Sequence, residues 1–251
     1  MPQFSDDLFL GSAQTYMGVN TNSALGDPSP MDLGVGPVGR IYVWDTVPAA
    51  KAANNLVTST TPSGSGSLTL TAGAGVTAVT LASGSTAYQL DVPRAVSVTT
   101  ASGTHASANL TVSGYDYYGQ AMSEVIASSA SASTTVNGQK AFFQITGITI
   151  SGGTTGAITV GTTDILGCPV RFNNKGYIAR CGWNNVLAED AATVVVADAT
   201  TATTTTGDVR GTVVPSSACD GAKRLVVGVL LTAIQCGPNA TRAGALGVTQ
   251  A

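Results

Sequence analysis

Side chains that could carry acid–base chemistry are scarce in this chain of 251 residues. It has one histidine, His105, and two glutamates, Glu124 and Glu189. A histidine acting as general base needs a nucleophile and an orienting carboxylate. The sequence marks neither, so we expect His105 to be a solvated loop residue. Acidic pairs at Asp6–Asp7 and Glu189–Asp190 could meet other carboxylates in space, as glycoside hydrolysis requires. Carbohydrate clefts usually need aromatic walls, however, and aromatic residues are only 6% of the chain. These residues favour a protein that is not an enzyme.

The cysteines and the one glycine-rich motif give no clear cofactor site. Four cysteines (Cys168, Cys181, Cys219 and Cys236) form no CxxC pair, and we expect buried, reduced thiols. A Cys168–Cys181 disulfide and a zinc site are the alternatives. Gly34 to Gly39 matches G-x-G-x-x-G, but Pro37 lies inside it and a strand pattern follows, where a dinucleotide site needs a helix. We therefore predict no cofactor and no metal.

Low charge is the strongest compositional signal. Charged residues are 10% of the chain, against about 25% in an ordinary soluble domain. The net charge of −3 disfavours a nucleic-acid partner, and no run approaches the roughly 18 apolar residues of a membrane-spanning helix. Hydroxyl- and glycine-rich segments with so little charge suit a structural protein whose surface contacts neighbouring subunits.

A two-residue apolar period predicts strands through most of the chain. The N-terminal segment differs, because glycine and proline interrupt it while Phe4, Leu8, Phe9 and Tyr16 supply apolar anchors. We predict an extended arm and first strand over 1–65, a β-rich domain over 66–151, a second β-rich half packed on it over 152–236, and a C-terminal tail over 237–251. The clearest strand predictions are Arg40–Trp44, Leu68–Thr71, Tyr88–Val98, Asn109–Ser113, Phe143–Ile150, Ala157–Val160, Tyr177–Trp183, Thr193–Val196, Val209–Val214 and Leu225–Leu231.

Local irregularities in these strands can also be predicted. Pro93 removes a backbone donor, which indicates an edge strand or a bulge. A change of parity around Gly147 indicates a second bulge. Apolar residues at both parities of Leu225–Leu231 predict a strand buried on both faces.

The tyrosines around a predicted hairpin turn are candidate recognition residues. Asp116 and Gly119 fit the ends of a type I turn, with glycine at positive φ. Tyr115, Tyr117 and Tyr118 then flank the hairpin tip, where they either shield the hairpin or form an exposed recognition tip.

Three passages resemble structural proteins of tailed-bacteriophage virions. They are Leu110–Glu124, with the phrase Gly-Tyr-Asp-Tyr-Tyr-Gly followed by Ser-Glu; Asn137–Ile148; and Gly207–Val227, with Gly-Asp-Val-Arg-Gly-Thr. Among such proteins, capsid decoration (cement) proteins fit best. The resemblance implies a small β-sandwich, commonly trimeric, that clamps neighbouring capsomers from outside.

We therefore expect an all-β protein, a jelly-roll or immunoglobulin-like β-sandwich with an extended N-terminal arm. The expected function is to bind and stabilise an assembled capsid in the virion, after synthesis in the host bacterial cytoplasm. Expected partners are the major capsid protein and copies of itself, in a homotrimer, with no nucleic acid and no membrane. The alternatives are a tail or head-fibre component and a glycan- or receptor-binding module.

Overall fold

The computed structural model describes residues 40–199, 201–231 and 248–250, and within these ranges the chain is almost entirely β-structure. Its helical content there is one 3-10 turn, Lys175–Tyr177, and no helix in these ranges is long and apolar enough to cross a membrane. The predicted all-β fold is confirmed. The strands described are β1 (Arg40–Thr46), β2 (Val57–Thr60), β3 (Gly66–Ser67), β4 (Val76–Thr80), β5 (Thr86–Thr100), β6 (Asn109–Tyr115), β7 (Ala121–Ala127), β8 (Thr135–Asn137), β9 (Phe142–Ile150), β10 (Ile158–Gly167), β11 (Ile178–Trp183), β12 (Thr193–Val195), β13 (Thr212–Val214) and β14 (Leu225–Leu231).

The strands form two antiparallel sheets in a sandwich-like arrangement. The large sheet has the order β12-β13-β10-β5-β9-β6-β7, and the short strands β2, β3, β4 and β8 pair with β10, β9, β5 and β5, respectively. The small sheet has the order β11-β14-β1. Two large hydrophobic clusters fill most of the interior of the described residues, and Ala202, Val209 and Val248 form a small third one. The first large cluster is formed by side chains of the large sheet and its adjoining segments. The second lies between the small sheet and one end of the large sheet.

Regular alternation explains the strands of the first cluster. Leu110 and Val112 of β6 are fully buried, while Thr111 and Ser113 are half-buried on the opposite face. The paired strand β7 adds Met122 and other apolar side chains to the same cluster. Because successive side chains of a strand point to opposite faces, the predicted period becomes one buried face and one partly exposed face.

The predicted irregularities are present, although one alternative is wrong. β5 is a central strand, so the edge position considered for Pro93 is not found. Instead, the pairing of β5 with β9 and with β10 shifts register between Gln89 and Val96. Pro93, whose nitrogen cannot donate a hydrogen bond, lies in this stretch. β9 also shifts register against β6 between Ile145 and Gly147, which confirms the predicted bulge.

One strand prediction is wrong and another fails in part. Leu68–Thr71 is not a strand, although Leu68 N donates to Ile148 O at 2.8 Å and both leucines of the segment pack on the first cluster. Of Val209–Val214 only the last three residues form a strand. Gly211 adopts φ +94°, which a continuing strand does not allow.

The small sheet carries the apolar strand β14 at its centre. Leu225, Val227 and Val229 are 0% exposed and face the second cluster, whereas Val226 and Leu230 on the other face are half-buried. The predicted burial on both faces is therefore complete on one face only.

The two longest strands of the large sheet enter both clusters. β5 contributes Val98 to the first cluster and Val92 to the second, and β10 contributes Val160 to the first and Leu166 to the second. The first cluster also includes Leu56, which directly precedes β2. It therefore contains residues from three of the four predicted segments, 1–65, 66–151 and 152–236. Residues 1–39 of the predicted arm, with Phe4, Leu8, Phe9 and Tyr16, lie outside the described residues, so this part stays a prediction.

Candidate functional site

The hairpin between β6 and β7 has the predicted turn. Gly119 N donates to Asp116 O at 3.1 Å, and Gly119 has φ +79°. The Asp116 carboxylate fixes the loop from inside, because its Oδ1 accepts from Tyr118 N at 2.8 Å and from Gln120 N at 2.9 Å. A short acidic side chain and a glycine therefore suffice to specify this turn.

The tyrosines do not form a fully exposed tip. All three are half-buried. The Tyr118 hydroxyl donates to Pro169 O at 2.8 Å, and its ring lies 4.9 Å below the Arg210 guanidinium. Burial raises the pKa of Tyr118 to about 12, against the lowering effect of Arg210. Tyr117 packs edge-on against both Tyr118 and Phe143, with ring centroids 5.2 Å apart in each pair. The hairpin folds onto the body because these rings gain more by packing than by remaining in water.

Beneath the tyrosines lies a buried ion pair that local sequence patterns do not reveal. Arg210 Nη1 lies 2.7 Å from Asp116 Oδ2, and the two side chains are 4% and 2% exposed. Gln250 Nε2 also donates to Asp116 Oδ2, at 3.3 Å. The pair joins residues 94 positions apart in the chain, so it locks the hairpin to the segment before β13.

A second pair of charged residues is buried beside the first. Glu124 is 3% exposed and accepts backbone hydrogen bonds from Gln139 at 2.5 Å and from Lys140 at 3.4 Å. Lys140 is 0% exposed, and its Nζ donates to Ser123 O at 2.9 Å. Burial raises the pKa of Glu124 to about 7 and lowers the pKa of Lys140. Both groups are thus held in an environment that disfavours their charged forms.

Asp208 connects the two pairs. Its Oδ2 accepts from Ala141 N at 2.9 Å, and its Oδ1 accepts from Arg210 N at 2.8 Å and Gly211 N at 3.0 Å. Burial raises the pKa of Asp208, although these three donors oppose the rise. We call Asp116, Glu124, Lys140, Asp208 and Arg210 the charge cluster. Its members come from all three passages singled out in the sequence, Leu110–Glu124, Asn137–Ile148 and Gly207–Val227.

A cleft opens where the two sheets meet, next to the hairpin. It has a volume of about 450 Å³, within the range of small-molecule sites. Tyr117 and Phe143 form part of its wall, with the Pro93 ring and the edge of buried Trp44. The remaining lining residues are Asp45, Thr46, Asp91 and Val92.

Both carboxylates of this cleft are held by arginines. Arg94 is 1% exposed, and its Nη2 lies 2.7 Å from Asp91 Oδ2, which also accepts from Ala49 N at 2.6 Å. Arg224 engages Asp45 through two nitrogens, with Nε 2.6 Å from Oδ1. The Asp45 and Asp91 side chains are 18% and 20% exposed, so each keeps an accessible surface while its orientation is fixed.

An exposed apolar loop lies at the far end of the small sheet. Asn184 and Asn185 adopt φ +52° and +58°, a conformation that asparagine tolerates better than most residues. Asn184 exchanges hydrogen bonds with the Arg224 backbone at 2.7 and 2.9 Å. This frame presents Val186 at 52% exposure and Leu187 at 93% exposure, so the loop can make an apolar contact without first being ordered.

The prediction of a solvated His105 is wrong. His105 is 5% exposed, and its Nε2 lies 2.8 Å from Ala101 O. Its ring packs against Gly156, where an added Cβ would lie 2.4 Å from Cε1. Gly156, which lies 51 residues after His105 in the chain, has no side chain and so leaves space for the ring. No local sequence pattern indicates that His105 is buried there.

The cysteines that the structure describes are free thiols. Cys168, Cys181 and Cys219 are buried and unpaired, and burial raises the pKa of Cys181 to about 11 and that of Cys219 to about 12. In the described ranges, no three His, Cys, Asp or Glu side chains are grouped so that they could hold a metal ion. Cys236 lies outside those ranges.

Sequence reasoning proposed the tyrosines but missed their neighbours. It gave no signal for the Asp45–Arg224 and Asp91–Arg94 pairs or for the approach of Phe143 to Tyr117. It did single out the three passages that supply the charge cluster. Comparison with known proteins gives no further assignment, because no protein family, curated protein or solved structure matches this chain.

Proposed function

We propose that this chain is a structural protein of a tailed-bacteriophage virion, a decoration protein that binds and stabilises the assembled capsid. One observation carries the proposal. The three passages that resemble phage structural proteins, which are separate in the sequence, supply all five members of the charge cluster. The three passages that carry the resemblance therefore meet in one cluster of this fold.

The charge cluster has an architectural role in this proposal. Asp116 and Arg210 neutralise each other, and Asp208 is bound by three backbone donors. Glu124 and Lys140 are also bound by neighbouring backbone groups. These side chains fasten a hairpin, a turn and the segment before β13. Four of the five are buried, and Asp208 is half-buried. A rigid β-body of this kind acts by association.

Binding itself supplies the stabilisation. A protein that binds the assembled lattice but not its separated subunits shifts the equilibrium towards the lattice, and several copies around a symmetry axis multiply the effect. In this proposal the arm carrying Phe4, Leu8, Phe9 and Tyr16 contacts the major capsid protein or a neighbouring copy in a trimer. The rigid Val186–Leu187 loop offers a second apolar contact.

Counting copies in purified virions of the phage that encodes the chain tests the proposal. Quantitative mass spectrometry should find the protein in a fixed ratio to the major capsid protein, at hundreds of copies per particle. A handful of copies would favour the tail or head-fibre alternative, and absence from the particle would refute a virion role.

Truncation then tests the proposed contact. Particles lacking the protein should bind the full chain, while a variant without residues 1–20 should bind weakly although its circular dichroism is unchanged. Leu187→Ser is a point variant for the loop, and Thr58→Ser, at an exposed residue of β2, is its matched control. Full binding by the truncated chain would refute the role of the arm.

A further inference from the structure

The cleft between the sheets combines two kinds of surface, one aromatic and one acidic. One side is aromatic, formed by Tyr117 and Phe143, and the other holds the carboxylates of Asp45 and Asp91. Trp44 closes the interior end. The cleft shares no lining residue with the charge cluster.

The aromatic side suits a ligand with apolar C–H faces. Tyr117 and Phe143 are half-buried and meet at an interplanar angle of 63°. Each ring is therefore fixed by its neighbour, and part of its surface remains accessible. The negative face of an aromatic ring attracts weakly positive hydrogens, such as those on the face of a sugar ring.

The carboxylate side suits hydroxyl donors. Carboxylate oxygens accept strong, charge-assisted hydrogen bonds, and both groups here are held in place before any ligand arrives. Arg94 orients Asp91 from the protein interior, and Arg224 orients Asp45 from the surface. Such preorganisation lowers the entropic cost of binding.

The same arginines indicate the charge of the ligand. Each carboxylate is matched by one guanidinium, so the two pairs carry no net charge. A cationic ligand would compete with Arg94 and Arg224 for the same oxygens, and an anionic ligand would meet two carboxylates first. A neutral ligand with several hydroxyl groups avoids both conflicts.

We propose that this cleft binds a neutral carbohydrate, with its C–H face on Tyr117 and Phe143 and its hydroxyl groups donating to Asp45 and Asp91. The volume of about 450 Å³ limits the bound part to one or two sugar units of a longer glycan. This inference goes beyond the proposed capsid role, since a capsid-bound protein could use the cleft to hold particles on a glycan-bearing surface.

The purified full-length protein tests the inference on a glycan array that carries neutral, sialylated and uronic-acid oligosaccharides. Titration calorimetry with each hit and with choline then gives affinities. We expect binding to neutral glycans only. Tyr117→Ser should weaken it about tenfold, as expected for loss of an aromatic contact. Asp45→Asn should weaken it about tenfold or more, because it removes a charged acceptor.

The variants are chosen so that folding is preserved. Asp45 pairs with an arginine whose side chain is 47% exposed, so Asp45→Asn leaves no buried charge unpaired. Tyr115→Ser is the matched control, since Tyr115 belongs to the same hairpin but does not line the cleft. It should leave glycan affinity unchanged, and circular dichroism should match for all variants.

Three results would overturn the inference: no neutral glycan bound, a preference for acidic glycans or choline, or equal binding by wild type, Tyr117→Ser and Asp45→Asn. The outcome is independent of the capsid role. Glycan binding is measured on the isolated protein and copy number on the virion, so either proposal can fail while the other stands.

Discussion

Ionisation of Glu124 should make the stability of this protein fall as pH rises from about 4.5 to about 7. Burial raises the pKa of this carboxyl from 4.5 to about 7 in the folded state. Between these values the folded protein holds a proton that the unfolded chain has released. Folding is therefore favoured at the acidic end, and the contribution is lost as pH rises through about 7. The difference between the two pKa values corresponds to about 3 kcal/mol.

The variant Glu124→Gln isolates this contribution, because glutamine cannot ionise. Lys140 and Asp208 are the other titratable groups facing Glu124, and both are retained in the variant. Relative to wild type, the variant should gain about 3 kcal/mol in free energy of unfolding between about pH 4.5 and pH 8. Glu189→Gln, at the exposed second glutamate, controls for the loss of a carboxyl group.

Urea unfolding followed by tryptophan fluorescence measures the effect at each pH. The quantity to compare is the free energy of unfolding of Glu124→Gln minus that of wild type. A difference that stays constant across this range would mean that the pKa of Glu124 is the same in both states, and one that falls as pH rises would mean that folding lowers it; either result would refute the reasoning.

Three further substitutions test other parts of the structure. Asp116→Asn should cost about 3–5 kcal/mol in urea unfolding, because it removes the carboxylate charge 2.7 Å from the buried Arg210 guanidinium; a loss below about 1 kcal/mol would contradict the role of this pair. Gly138→Ala should cost about 1–3 kcal/mol, since its Cβ would lie 2.5 Å from the Oε2 of the buried glutamate, whereas Gly147→Ala meets no atom within 4 Å and serves as control. Val227→Asp should abolish soluble expression, because Val227 is 0% exposed at the centre of the small sheet and an unpaired buried charge costs several kcal/mol; a soluble variant with native circular dichroism would refute this.

The sequence predicted well those features that depend on neighbouring residues. The period of two in Asn109–Ser113 became a strand, and Asp116 with Gly119 specified the turn. Alternation alone was misleading at Leu68–Thr71, where the leucines pack on the core without a ladder of backbone bonds. The side-chain pattern indicates which residues are buried. A strand forms only where a partner strand is also available for backbone hydrogen bonds.

Features that join distant segments were not predictable in this way. Asp116 meets Arg210 across 94 positions, and His105 finds its space at Gly156. The tyrosines were predicted at the right turn, but their half-buried state depends on Arg210 and Phe143. A local pattern contains no information about such contacts, so the chemistry of the cleft emerged only with the fold.

Strands β5 and β10 enter both hydrophobic clusters, and this has a consequence for how the protein unfolds. We expect the loss of packing in one cluster to weaken the other through these shared strands, so that the small sheet does not open as an independent unit. Amide hydrogens of β6 and β14, at opposite ends of the body, should therefore exchange with solvent through the same global opening and show the same free energy of exchange. A particle coat built from such units would fail abruptly under heat or chemical stress, one whole subunit at a time, rather than loosen by degrees.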